Sequence, residues 1–165
     1  MHVRDMLLPE FEQEMATTRR VLERVPTDKG QWKPHPKSFS LGHLAQLVSW
    51  MPSWIAITIN DPDLDLAGAP GYSYETTETL LAGFDQGVAD ARAALSKFED
   101  EDYNTPWHLK HGERVLFTSP RGPTVKQHIN HLVHHRAQLG VYLRLLDIPV
   151  PQMYGPTADD RGFLA

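Results

Sequence analysis

The chain contains no cysteine. This excludes a disulfide framework, a zinc ribbon or finger, an iron–sulfur cluster and a cysteine nucleophile. Any transition-metal site must therefore use nitrogen and oxygen ligands. Positive charge is also scarce: 16 Lys and Arg against 21 Asp and Glu leave a net charge of −5. Non-specific nucleic-acid binding needs a basic footprint, so nucleic acid is not an expected partner. No apolar run reaches the roughly 18 residues of a membrane span. The opening Met1-His2-Val3-Arg4-Asp5 lacks a signal-peptide core, which leaves the cytoplasm as the default location and no membrane partner. Repeats, low-complexity tracts and composition breaks are absent too, so residues 1–165 read as one domain. A chain of this length buries roughly 70% of its unfolded surface.

What the chain has in excess is histidine: nine in 165 residues, five of them from His111 to His135. The surrounding pattern is helical. Leu7, Phe11, Met15, Thr18 and Leu22 recur at steps of three and four and predict a first helix over about residues 4–24. Ser40 is a good N-cap for a second helix, with Leu41, Leu44, Ala45, Val48, Met51 and Ile55 on one face. Pro52 falls inside that pattern and should kink or tighten it. The Pro-, Gly- and Asp-rich stretch from Asp61 to Ser73 reads as a long crossover. A third helix follows over about 77–98, carried by Leu81, Phe84, Val88, Ala91, Leu95 and Phe98. Trp107, Leu109, Val115 and Phe117 alternate around Lys110-His111-Gly112-Glu113 and suggest a short hairpin or extended excursion. The last helix starts after Pro123 and stops near Asp147, ahead of Pro149 and Pro151. Four amphipathic helices with one long middle link predict an all-α fold: a four-helix bundle, up-down-down-up, with the crossover between helices two and three.

On the last helix, His128, His131 and His135 share one stripe at about 100° per residue. His131 and His135, four apart, stack their imidazoles on one side, the spacing that lets two rings reach one metal. The same spacing also arises by chance in a histidine-rich chain. A catalytic zinc centre needs a third ligand and an open fourth position, and His43 on helix two is the candidate. His35, His108 and His111 lie in loops. His134 points elsewhere, Arg136 reads as an ion-pair partner, and Gln138 reads as a surface amide or a residue that orients a ligand. Glu14 reads as a surface charge, and Trp32, Trp50, Trp54 and Trp107 mostly as packing.

Several stretches together resemble the DinB-like family, which is grouped with the YfiT-type metal-dependent hydrolases. They are Leu8-Pro9-Glu10-Phe11, the loop from Trp32 to Ser38, Ser40-Leu41-Gly42, Asn130 through Leu139, and the close from Pro149 to Pro156. The resemblance implies an up-down-down-up bundle, often a homodimer, with a three-histidine site for a divalent metal, zinc or nickel, at one end. It also implies thiol-dependent chemistry on a small electrophile, as in maleylpyruvate isomerases and S-transferases that use an external low-molecular-weight thiol. His131 and His135 match the family motif. Where the family places its first histidine, three residues after Leu44, this chain has Leu47, and His43 stands one turn earlier. The expected metal set is therefore His131 and His135, completed by His43 or a loop histidine. The alternative is a non-catalytic bundle with a degenerate site, serving as a ligand-binding or dimerisation module in a stress response.

Overall fold

The computed structural model describes residues 2–73 and 76–161. Helix α1 spans Val3–Leu22, α2 Leu41–Asn60, α3 Thr77–Leu95 and α4 Arg121–Leu145. The predicted apolar stripes are the core: Phe11 and Leu22 of α1, Leu44 and Met51 of α2, Phe84 and Leu95 of α3, and Ile129 and Leu139 of α4 are all buried. Ser40 caps α2, its hydroxyl accepting from the His43 N–H at 3.3 Å. The helix continues through Pro52. It packs most extensively against α3 and α4. Gly87 lets α3 approach: a Cβ there would sit 3.2 Å from the Ser53 nitrogen and 3.6 Å from Pro52 Cβ.

The all-α expectation is wrong. Three strands, β1 (Asp63–Asp65), β2 (Pro106–His111) and β3 (Arg114–Pro120), form a mixed sheet in the order β1-β2-β3. The protein is therefore a mixed α/β fold of four helices and a sheet rather than an all-α four-helix bundle. The antiparallel β2–β3 hairpin lies where the alternation suggested an extended excursion. Its turn places Gly112 at φ +59°, a backbone that glycine adopts without strain and that suits a two-residue hairpin loop. The unforeseen strand is β1, which lies inside the crossover and pairs parallel with β2. Asp-Leu-Asp has no strand signature, so partners distant in sequence must hold it. His108 N–H donates to the Pro62 carbonyl at 3.1 Å. Gly112 N–H donates to Asp65 Oδ1 at 2.9 Å. Lys110 Nζ lies 2.9 Å from Asp63 Oδ2. The sheet carries Trp107, which is buried, to within 6.0 Å of the His128 ring. No helix among the described residues is long and apolar enough to cross a membrane.

Candidate functional site

Two contacts fix how α2 and α4 align. Near the end of α2, Thr58 meets His128 at 3.1 Å. Just before α2 begins, the Phe39 carbonyl accepts from the Tyr142 hydroxyl at 3.3 Å, near the end of α4. The helices therefore run antiparallel. Carried between those contacts, the register sets buried Leu47 about level with His135, and His43 about a turn further along.

The histidine stripe of α4 faces this seam. His128 is tucked between the Trp54 ring at 5.8 Å and the Trp107 ring at 6.0 Å, both edge-on. Burial, with a smaller contribution from His131, pushes its pKa down to about 4, so it is a neutral imidazole at pH 7. His131 lies under Trp54 at 6.2 Å. Burial first, then His135 and His134, lower its proton affinity as well.

His131 and His135 meet. Their Nε2 atoms are 2.9 Å apart. Gln138 completes the arrangement: His135 Nδ1 is 2.8 Å from its Oε1, and its amide nitrogen is 3.1 Å from His134 Nε2. An amide oxygen can only accept, so the His135 proton sits on Nδ1 and the Nε2 lone pair turns toward His131. This is the tautomer a metal ligand needs, fixed by the kind of outer partner that ligating histidines usually have. Two nitrogens bound to one tetrahedral zinc at about 2.0–2.1 Å would lie about 3.3 Å apart. The pair therefore fits two positions of such a centre after a small adjustment.

The structure does not bring His43 to this pair. Its ring is stacked between Phe39 at 4.2 Å and Tyr72 at 3.7 Å, and Tyr72 in turn stacks on Trp50 at 5.1 Å. Burial, then the nearby Lys33 charge, lower its proton affinity. Among the described residues no group of three or more His, Cys, Asp or Glu side chains stands ready to hold a metal. Of the histidines expected in loops, only His35 lies in one, its Nδ1 accepting from the Lys37 N–H at 3.1 Å; His108 and His111 lie on β2, where His108 bonds Thr118 across the hairpin at 2.9 Å. Neither His35 nor His108 joins the pair.

The DinB family model matches residues 1–161. The chain belongs to the DinB family. It is 25% identical over 161 residues to the YrdA protein of Bacillus subtilis (strain 168), covering 94% of this chain and 90% of that protein. A DinB-like crystal structure from Bacillus cereus superposes with a TM-score of 0.69 at 22% identity, covering 89% of this chain and 95% of the other. A DinB-like structure from Bacillus subtilis gives 0.66 at 15% identity, covering 95% and 99%. A mycothiol-dependent maleylpyruvate isomerase gives 0.61 at 14% identity, over 83% of this chain and 60% of that one. These likenesses place the DinB chain in a shared fold.

Sequence reasoning undervalued two residues here. Gln138 stands three and four positions after His135 and His134, a spacing at which helix side chains meet. That spacing is a signal the sequence carries for the orienting role over the surface amide. Glu14, read as a surface charge, is buried and meets Arg136 Nη2 at 2.7 Å. Thr58 and Tyr72 had no local signal, because their roles come from partners far along the chain.

Proposed function

We propose that this DinB protein binds a divalent metal through the Nε2 atoms of His131 and His135 and uses it in thiol-dependent chemistry on a small electrophile. One observation carries the reading: two imidazole nitrogens 2.9 Å apart, one of them held by Gln138 in the ligating tautomer. With two protein ligands, the remaining positions are open to solvent and to an incoming thiol. Bound there, the metal would stabilise the thiolate over the thiol. A chain without cysteine must take that thiol from outside. The mycothiol-dependent isomerase that shares the fold supports the thiol part of the proposal. Burial favours a neutral His131, whose Nε2–H donates to the His135 Nε2 lone pair in the free protein, so metal binding would move that proton to Nδ1 to free the Nε2 lone pair. Trp54 walls the site. It also lines a cavity of about 740 Å³ between α2 and the crossover, together with Trp50 and Tyr72. That is room for the apolar body of a small molecule.

Leu47, about level with His135, favours a second reading, in which the site has lost its third ligand and the protein is a non-catalytic binding or dimerisation module. Titration of zinc and of nickel into metal-stripped protein, followed by melting temperature and calorimetry, separates the two. The wild type should gain stability by linkage, and a His131→Ala/His135→Ala variant should not. Leu47→His should tighten binding on the order of a hundredfold, since four-ligand zinc sites draw about 10–16 kcal/mol in all. If the wild type gains nothing while Leu47→His does, the second reading stands and the first fails.

A further inference from the structure

Beside His135 a groove of about 390 Å³ opens between α4 and the segment that precedes α2. Its walls are Lys37, Ser38 and Phe39 on one side and His135, Gln138 and Tyr142 on the other. We propose that this groove admits a carboxylate-bearing small molecule and that Lys37 holds its charge. The inference rests on reading His131 and His135 as the reactive pair and names the class of molecule brought to them.

The argument is one of charge. The chain is acidic overall, with a net charge of −5, and several of its cations are neutralised. Arg4, Arg19, Arg92, Lys110, Arg136 and Arg144 each face a carboxylate. Lys37 and Lys33, like several other cations of the chain, make no ion pair among the described residues, and no carboxylate lines the groove. Lys33 is close enough to act electrostatically on His43. The Lys37 ammonium therefore stands in the groove beside His135 with no counter-charge lining it, a local positive field on a negative protein.

The wall is also stiff. Pro34 and Pro36 restrict the loop. The Lys37 N–H is tied to His35 Nδ1 at 3.1 Å. Across the groove the Tyr142 hydroxyl makes only a long 3.3 Å bond to the Phe39 carbonyl, so it can turn toward an incoming oxygen. An ammonium, a weakly held hydroxyl and an imidazole around one groove can recognise a carboxylate through charge-assisted hydrogen bonds. A neutral amide of the same shape gains no such charge assistance.

The probes are benzoate and benzamide, which share shape and differ in charge. Each is titrated into metal-stripped protein while the His135 ring signals are followed by NMR. Benzoate should shift those signals saturably, and benzamide should do so severalfold more weakly. Lys37→Ala, at an exposed position, should weaken benzoate about threefold to fivefold, the size of an exposed ion pair, and added salt should do the same. Lys126→Ala, at a separate cavity beside Asp100, should change nothing. Equal responses to the two probes, or an unchanged benzoate affinity in Lys37→Ala, would overturn the proposal. No metal is present in this test. Its failure is thus distinct from a failed zinc or nickel titration, which would count against the metal reading alone.

Discussion

Arg136→Ala is expected to cost about 3–5 kcal/mol of stability, because it leaves a carboxylate buried without its counter-charge. Arg136 is 1% exposed and Glu14 is 6% exposed. Arg136 Nη2 lies 2.7 Å from Glu14 Oε2. Its Nη1 donates to the Glu14 carbonyl and to Thr18 Oγ1, both at 3.1 Å. The Tyr154 hydroxyl donates to Glu14 Oε1 at 3.0 Å, and the guanidinium carbon stands 5.3 Å from the Tyr154 ring centre. The cluster thus fastens α1, α4 and the C-terminal segment at one point, one residue from His135, and fixes how α4 presents its histidines to α2. Its satisfaction is incomplete: Arg136 Nε has no hydrogen-bond partner, and the contact to Glu14 Oε2 is one of charge rather than an aligned hydrogen bond. The pair's main contribution is consequently orientation. Removing both charges at once, as in Glu14→Gln/Arg136→Met, should recover most of the loss, since an apolar replacement for a buried pair is often near neutral. Urea denaturation of the three proteins checks this. A loss below about 1 kcal/mol for Arg136→Ala, the level of a surface pair, would remove the cluster from any role in setting α4.

The helices were legible because each buries one stripe, and stripes at steps of three and four are local signals. The strand β1 was not legible, because Asp63 and Asp65 are acids whose pairing is decided by Lys110 and the Gly112 N–H, more than forty residues on. The same division runs through the site. The closeness of His131 and His135 follows from one turn of α4. The placement of His43 depends on Phe39 and Tyr72, whose rings reach it from the loop before α2 and from the crossover. Helical spacing on α2 could suggest that His43 was available, but it could not show that its two faces were covered. Glu14 carried no sign of burial either: its neighbours on α1 place it at the edge of the apolar stripe, and only Arg136 on a distant helix makes that position tolerable for a charge.

Stability should fall by about 3 kcal/mol as pH drops from 6.5 to 4, through His128 alone. Its imidazole has a pKa of about 4 in the folded protein against the ordinary 6.5. Between those values the unfolded chain binds a proton there and the folded chain does not. Acid therefore draws the equilibrium toward the unfolded state; above pH 6.5 neither state is protonated and the effect vanishes. The cause is physical enclosure. Trp54 and Trp107 stand edge-on to the ring, Thr58 supplies its one hydrogen bond, and His131 would repel a second cation. His131 and His43 are shifted in the same direction and add to the slope. The depressed carboxylates add to the loss only toward the acid end of that window: Glu12, Asp100 and Asp159 are held below their ordinary values of 4.5, 3.8 and 3.8 by Arg92, the Val3 N–H and Arg144, so their stabilisation is present above those values and is lost as pH falls through and below them. His128→Gln, which keeps a side-chain partner for Thr58, should flatten the pH dependence of the urea midpoint between 6.5 and 4 while leaving the steeper loss below it. Parallel wild-type and variant curves across that window would mean that His128 titrates normally and that the Trp54–Trp107 enclosure is open to water. In that case the same wall could not keep His131 dry, and its lowered proton affinity would need another cause.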